Sequence, residues 1–116
     1  IPFVRDNMIM KKAINILSEK KLGILIVRDK ENKTKGIITD GQIRRYNEKH
    51  SNLHIKKTKE IMTKKPISVE KNILAAKALS IMNNKQITSL CVHEKKNKNK
   101  TIGVLHIHNI LRSNIS

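Results

Sequence analysis

The feature that most constrains the fold is an internal repeat with an offset of 65 residues. Apolar residues at positions i, i+3, i+4 and i+7, the spacing of one face of an amphipathic helix, recur at this offset. The first set is Met10, Ala13, Ile14 and Leu17, and the second set is Ala75, Ala78, Leu79 and Met82. The same offset relates Val4 to Val69 and Val27 to Val92. The chain therefore consists of two copies of one structural motif.

The order of elements within each copy follows from the residues after the predicted helix. An apolar strand comes first, and a turn rich in lysine and asparagine connects it to a second strand that begins at a glycine. These strands are predicted at 24–27 and 36–39, and at 90–92 and 103–106. Short helical segments are predicted to follow at 42–46 and 109–112. The sequence therefore predicts an α+β fold built from two helix–strand–strand–helix motifs.

The size of one copy bears on how the copies are arranged. A core formed by roughly 50 residues is marginal, so we expect the copies to bury their apolar faces against each other about a pseudo-twofold axis. The segment between them carries few apolar residues. The predicted organisation is a first motif at 1–50, a linker at 51–61 and a second motif at 62–116.

The charge of the chain raises the question of a polyanionic partner. The 116 residues include 25 Lys plus Arg and 9 Asp plus Glu, so the formal net charge is +16, which would attract nucleic acid or an acidic membrane surface. Most of the positive charge is lysine, and only five arginines can read guanine or clamp phosphate through a bidentate fork. Phe3 and Tyr46 are the only aromatic residues, too few for a base-stacking surface. We expect no specific nucleic-acid partner.

Apolar runs and cysteine usage indicate the compartment. The longest apolar run is far shorter than the roughly 18 residues that a membrane span needs, so no membrane partner is expected. Cys91 is the single cysteine, and no leader pattern precedes the first copy. We expect a reducing, cytoplasmic setting.

The most informative local feature is the junction where the strand at 36–39 turns into a helix. Thr39 offers a hydroxyl there, the helix N-terminus offers N–H groups, and Arg44 and Arg45 follow one turn later, a combination suited to phosphate. The alternative is that Thr39 or Asp40 simply caps the helix and that both arginines are solvated. Spacing alone leaves both interpretations open.

The second copy ends in a pair of histidines. His106 and His108 alternate along a strand and so share one face, where they could recruit a metal. A metal site needs three or four ligands, and no local carboxylate completes this one, so no metal is predicted. The histidines are expected instead to donate hydrogen bonds to a ligand. Thr88 and Ser89, at the start of the third strand, could reach the same ligand.

Several phrases spread over the whole chain resemble a tandem pair of CBS motifs, the arrangement called a Bateman module. They are GIITDGQIRR at 36–45, EIMTKKP at 60–66, AAKAL at 75–79, ITSL at 87–90 and GVLHIHNILR at 103–112. Within this family the chain is most similar to the C-terminal regulatory region of bacterial arabinose 5-phosphate isomerases, through the threonine-aspartate-glycine turn and the two-histidine ending. Sugar-nucleotide transferases with similar tandem modules are a second group of candidate parents.

The resemblance implies nucleotide binding in a cleft between the two motifs. The family pattern pairs a hydroxyl that meets phosphate with a carboxylate that holds the ribose. Thr39 matches the hydroxyl, whereas His106 takes its place in the second copy, and Gln42 and Asn109 replace the two carboxylates. An amide can hydrogen-bond a ribose hydroxyl without charge assistance. Both carboxylates that would hold the ribose in the family's usual adenosine pose are therefore missing.

The candidate site that the resemblance and the residues together imply has a phosphate corner and a base side. The phosphate corner comprises Thr39, Arg44 and Arg45, and Thr63 and Pro66 belong to the base side. The full candidate set is Thr39, Asp40, Gln42, Arg44, Arg45, Thr63, Pro66, Thr88, Ser89, His106, His108 and Asn109. No catalytic residue and no cofactor are predicted.

The resemblance also implies an effector and partners. The isomerases of this family begin the route to CMP-Kdo for lipopolysaccharide, so a cytidine nucleotide, CMP or a CMP-sugar, is the preferred effector, with AMP and ATP as alternatives. The module itself is expected to be non-catalytic, attached to a sugar-isomerase domain that lies outside these residues, and paired with a second copy in a homodimer.

Two other functions compete with nucleotide sensing. One is a dimerisation module that has lost its ligand, in the same enzyme or in a sugar-nucleotidyltransferase, as the Gln42 and Asn109 replacements allow. The other is a domain that binds polyanions through its +16 charge. Its binding affinity would fall steeply as the salt concentration rises. Ligand-induced stabilisation discriminates between them.

Overall fold

The repeat appears as two β-sheets of similar topology in the computed structural model, which describes residues 3–20, 23–94 and 96–108. Contacts divide the chain into an N-terminal unit that ends at Pro66 and a C-terminal unit that begins at Ile67. Each unit combines helices and strands, which confirms the predicted α+β class.

The N-terminal unit contains a four-stranded sheet of order β1-β2-β3-β4. Strands β1 and β2 are parallel, with helix α1 connecting them, and the remaining pairs are antiparallel. The elements in chain order are β1 (Phe3–Arg5), α1 (Met10–Lys20), β2 (Ile24–Arg28), β3 (Thr34–Thr39), α2 (Asp40–Lys49), a 3-10 helix (Leu53–Ile55), α3 (Thr58–Ile61) and β4 (Thr63–Lys64).

The C-terminal unit repeats this plan with three strands in the order β5-β6-β7. Strands β5 and β6 are parallel, and β6 and β7 form an antiparallel hairpin. The elements are β5 (Ser68–Glu70), α4 (Ala75–Lys85), β6 (Ser89–Glu94) and β7 (Asn97–His106). The helical segment predicted at 109–112 lies outside the described residues.

Strand register confirms the offset read from the sequence. Val4 pairs with Val27 in the N-terminal unit, and Val69 pairs with Val92 in the C-terminal unit. Across the hairpins, Val27 pairs with Gly36 and Val92 pairs with Gly103. A β-bulge follows each of these two valines. The two units therefore share sheet geometry as well as sequence pattern.

The predicted apolar helix faces form much of the two cores. Met10, Ala13 and Leu17 of α1 are buried, and so are Ala78 and Met82 of α4. The buried residues of the N-terminal cluster are Val4, Met10, Ala13, Leu17, Leu25, Val27, Ile38 and Leu53, and those of the C-terminal cluster are Val69, Ala78, Met82 and Leu90.

The segment predicted as a linker at 51–61 packs into the N-terminal unit. Leu53 is only 1% exposed and belongs to the core of that unit. The Thr58 hydroxyl donates to the carbonyl oxygen of Arg5 at 2.6 Å, and the amide of Met10 donates to the carbonyl oxygen of Lys56 at 2.7 Å. Strand β4 then adds to the sheet. The unit thus includes residues up to Pro66, past the predicted start of the second motif.

Candidate functional site

The junction between β3 and α2 is closed by a capping box. The amide of Gln42 donates to Thr39 Oγ1 at 3.2 Å, and the amide of Thr39 donates to Gln42 Oε1 at 2.9 Å. This exchange satisfies two groups that a helix N-terminus would otherwise offer to an anion. Thr39 therefore caps the helix, and a ligand that uses its hydroxyl must compete with Gln42.

Strand β4 brings Thr63 to the same place. Thr63 pairs with Ile37 of β3, and its hydroxyl accepts a hydrogen bond from Gln42 Nε2. The close approach of β4 depends on Gly36, since a Cβ atom there would lie 2.5 Å from the carbonyl oxygen of Thr63. The structure thus brings together Thr39, Gln42 and Thr63 of the predicted site.

A groove of about 550 Å³ lies beside this cluster. One wall is the face of α2 that carries Gln42, Arg45, Tyr46 and Lys49, residues spaced so that they lie on one side of a helix. The remaining lining residues are Glu48, His50, Ile61 and Thr63. The Tyr46 and His50 rings lie with their centroids 4.4 Å apart. The groove therefore offers cationic, amide, hydroxyl and aromatic groups together.

The two predicted arginines are both exposed but differ in their relation to the groove. The Arg45 guanidinium folds back over Gly41, where a Cβ atom would lie 3.1 Å from one of its terminal nitrogens. Asp40 and Arg44 are exposed and lie outside the groove lining, as does half-buried Pro66. Of the two predicted arginines, Arg45 alone thus belongs to the groove.

In the C-terminal unit, the other predicted residues lie at the corresponding end of the sheet. Ser89 pairs directly with His106, and the carbonyl oxygen of Thr88 accepts from the amide of Ile107 at 2.8 Å. The His108 ring stacks on the His106 ring with centroids 4.8 Å apart, and the His108 amide donates to His106 Nδ1 at 3.2 Å. The predicted Asn109 lies outside the described residues.

The surroundings of His106 disfavour the charged form of its imidazole. Partial burial lowers the pKa of His106 below its ordinary value of 6.5, and the charge of His108 lowers it further.

Within residues 3–20, 23–94 and 96–108, no group of three or more histidine, cysteine, aspartate or glutamate side chains is placed to hold a metal ion. Every helix in these ranges also falls short of the length and apolarity needed to cross a bilayer.

Sequence reasoning missed several side chains on the face of α2 that lines the groove. Tyr46, Lys49 and His50 contribute to the groove, but none belongs to the motif phrases. Their spacing from Gln42 and Arg45 was available as a signal, because residues three and four apart share a helix face. The partner wall at Ile61 and Thr63 depends on the pairing of β3 with β4, which a two-residue strand does not reveal in advance.

The fold and the paired motifs define a class of protein. The CBS domain family matches residues 1–49 and 59–115, so the chain belongs to the CBS domain family and carries two copies of the domain. A CBS domain pair by itself is a non-catalytic module.

Two curated proteins are similar to this chain over its full or nearly full length. The chain is 38% identical over 116 residues to the uncharacterized protein RP505 of Rickettsia prowazekii, covering 100% of this chain and 35% of that protein. It is 34% identical over 115 residues to arabinose 5-phosphate isomerase KdsD of Yersinia pestis, covering 99% of this chain and 34% of the isomerase. The chain thus spans about a third of the length of the curated relatives that it matches.

Solved structures agree on the fold. One solved structure is that of the CBS domain protein PAE2072 of Pyrobaculum aerophilum, complexed with AMP. The similarity to it has a TM-score of 0.82 at 17% identity and covers 97% of this chain and 88% of that one. At this identity the likeness establishes the CBS pair fold.

Proposed function

We propose that this CBS pair is a regulatory module that binds a nucleotide in the groove along α2. The observation that carries the proposal is the placement of Arg45 and Lys49 beside the Tyr46 and His50 rings in one groove of about 550 Å³. A nucleotide needs both an anion-binding corner and an apolar surface for its base. This groove offers the two within one helix face.

Each part of a nucleotide has a matching group among the residues that line the groove. Arg45 supplies a bidentate fork for phosphate, and Lys49, one turn along the helix, adds a second positive charge. Thr63 accepts from Gln42 and retains its own O–H for a ribose hydroxyl. The base lies against the Tyr46 and His50 rings. Glu48 lines the same groove and favours ligands of low negative charge, such as a nucleoside monophosphate.

Similarity to arabinose 5-phosphate isomerases supports a finer proposal. Identity of 34% to the KdsD enzyme spans 99% of this chain, and we infer that the module is attached to a sugar-isomerase domain in the cytoplasm and pairs with a second copy. An end product of that enzyme's route would be a cytidine nucleotide-sugar, so CMP or a CMP-sugar is the proposed effector. The AMP complex of PAE2072 supports a nucleotide in general and keeps AMP as the alternative.

Regulation requires more than binding. A ligand changes the activity of an attached domain only if it binds two conformations of the module with different affinities. The capping box gives one place for such a difference, because a phosphate that bonds the Thr39 hydroxyl competes with the Gln42 backbone amide, and the Gln42 side chain links the same helix start to Thr63 of β4. The start of α2 and strand β4 would then respond together.

The competing function is a dimerisation module without a ligand. What favours it is the closed capping box, in which the Thr39 hydroxyl already accepts from the Gln42 backbone amide and the Gln42 side chain already accepts from the Thr39 backbone amide. Polyanion binding remains the third hypothesis because of the +16 charge.

Thermal unfolding with a nucleotide panel separates the three functions. The panel comprises AMP, ATP, CMP and CMP-Kdo at fixed moderate salt. A ligand at 100 times its dissociation constant adds about 2.7 kcal/mol to the free energy of unfolding if it binds only the folded chain. We expect CMP or CMP-Kdo to give the largest shift. The absence of a shift with every nucleotide supports the dimerisation module, and a nonselective shift that disappears with added salt supports polyanion binding.

A further inference from the structure

Strand β4 is followed by a residue in an uncommon backbone conformation. Lys65 has a φ of 51°, which is the left-handed region that few residues other than glycine adopt. Two other described non-glycine residues lie in this region for ordinary reasons. Asn32 lies in the loop between β2 and β3, where asparagine tolerates such a φ, and Gln86 is the C-cap of α4. Lys65 neither caps a helix nor joins two strands of one sheet.

The residue after Lys65 makes this conformation still less favourable. It is Pro66, and a proline ring restricts the preceding residue to extended conformations with φ of about −120°. A strained backbone conformation persists only where the surrounding contacts impose it. The contacts that come directly before Lys65 in the chain are those of β4. We therefore attribute the strain at Lys65 to the attachment of β4 to β3.

The attachment of β4 is slight. The strand has two residues, Thr63 and Lys64, with exposed side chains, and it forms an edge of the described sheet. It is attached through its pairing with Gly36 and Ile37 of β3 and through the hydrogen bond from Gln42 Nε2 to the Thr63 hydroxyl. Short edge segments with few buried contacts can open without unfolding of the rest of a protein. Release of β4 would relax Lys65, so the strain favours the detached form.

Strand β4 is also a wall of the groove along α2. Thr63 lines the groove, and Gln42 of the facing wall donates to its hydroxyl. Detachment of β4 would therefore remove one wall of the groove. A ligand that contacts both walls binds the attached form more tightly and shifts the equilibrium toward that form. Because β4 is the last strand of the N-terminal unit, its attachment also fixes where the chain leaves that unit.

We propose that residues 63–65 form a strained strap, which detaches from β3 as a unit and which a nucleotide in the groove along α2 holds in place. The strain at Lys65 keeps the detached form accessible, so the attachment responds to a ligand. The ligand-dependent part rests on the proposed function. The strain and the detachment are properties of the chain without a ligand.

Hydrogen exchange of the ligand-free 116-residue chain, followed by NMR, tests the strap itself. Amides that bond across the β3–β4 ladder should exchange faster than amides of the central strand β2, because the strap opens without global unfolding. Lys65→Gly should slow exchange at the ladder about fivefold, since glycine adopts left-handed conformations without steric strain. Ladder amides that exchange no faster than those of β2 would overturn the proposal, and so would an unchanged or faster rate in Lys65→Gly.

Two further glycine variants are the controls. Lys64→Gly makes the same substitution and the same charge change at the neighbouring position in the strand, where glycine only adds flexibility, and should speed exchange at the ladder. Gln86→Gly relaxes a left-handed residue of the C-terminal unit and should leave the ladder rate within about twofold. Slowing in either control equal to that in Lys65→Gly would refute the assignment of the strain to Lys65.

The same exchange measurement with saturating CMP or AMP tests the link to the ligand. We expect the bound nucleotide to slow exchange at the β3–β4 ladder about tenfold or more, and by more than at the β6–β7 hairpin. Calorimetric binding without slowing at the ladder would overturn the ligand-dependent part. A chain that binds neither nucleotide would refute the proposed function and the ligand-dependent part together, while the ligand-free exchange of Lys65→Gly still decides whether the strap exists.

Discussion

Truncation of Leu53 tests whether the segment after α2 is core or connector. Leu53→Ala removes three carbon atoms from a side chain that is 1% exposed and packed in the N-terminal cluster. At about 0.8 kcal/mol for each buried CH₂, the transfer cost alone is about 2.4 kcal/mol. The residual cavity raises the typical cost of such a change to about 2.7–5 kcal/mol. We therefore expect a loss of about 3 kcal/mol in the free energy of unfolding.

Urea unfolding followed by circular dichroism measures this loss. With a slope of about 1.5 kcal/mol per molar urea, the midpoint should fall by about 2 M. Ile55→Ala, two residues away and 76% exposed, is the control and should change the free energy by less than about 0.5 kcal/mol. Equal, small effects of the two variants would show that the segment does not pack in the core, and the described N-terminal unit would then be wrong.

Three further substitutions test other parts of the structure. Gly36→Ala should destabilise the chain by about 1–3 kcal/mol in urea unfolding, since its Cβ would lie 2.5 Å from the carbonyl oxygen of Thr63; an unchanged midpoint would argue against the β4 pairing. Gly41→Ala should stabilise α2 by about 0.5–1 kcal/mol yet weaken CMP binding measured by calorimetry, because the new Cβ crowds the Arg45 guanidinium; unchanged affinity would exclude Arg45 from the site. Burial raises the pKa of the Cys91 thiol to about 11, with a side-chain hydrogen bond to Thr101 partly opposing the rise. The unfolded chain therefore releases this proton at lower pH than the folded chain, and stability should fall between about pH 9 and 11. Cys91→Ala should reduce that fall in pH-dependent urea unfolding, and an identical pH profile would contradict it.

The repeated parts of the fold were predictable because each is specified twice. The helix faces at Met10 and Ala75 and the valine pairs at equal offset are local patterns, and the register of both sheets agrees with them. Ala78 and Met82 are buried as their counterparts Ala13 and Leu17 are, although Ala75 is exposed where Met10 is buried. A coincidence in one copy would not recur at most positions of the other.

Helix boundaries were less predictable than helix faces. Asparagine is a favoured N-cap, and the positions of Asn7 and Asn72 just before the two apolar helix faces predict that they cap these helices. However, α1 begins at Met10, and α4 has Leu74 as its N-cap without a side-chain hydrogen bond. Both asparagines lie three residues before their helices. The capping prediction was therefore wrong, because a polar residue near a helix start is equally compatible with a turn.

Of the candidate site, only the part at the junction of β3 and α2 was predictable from the sequence. The hydroxyl and the amide at Thr39 and Gln42 follow from the strand–helix junction, and their capping box is a local interaction. The second wall comes from residues more than twenty positions later, at Ile61 and Thr63, through pairing of β3 with β4. Such a nonlocal contact leaves no periodic signal, so this second wall could not be inferred from spacing, whereas the α2 face with Tyr46 could have been.

Calorimetric titration of CMP into the chain and two arginine variants tests the central claim most directly. Arg45→Ala removes a groove cation, whereas Arg44→Ala makes the same charge change at an exposed position outside the groove. Since a hydrogen bond to a charged group contributes about 1.5–3 kcal/mol, Arg45→Ala should weaken binding by about tenfold or more, and Arg44→Ala by less than about twofold. No binding of CMP or AMP to the unmodified chain, or equal losses in the two variants, would contradict a nucleotide site along α2.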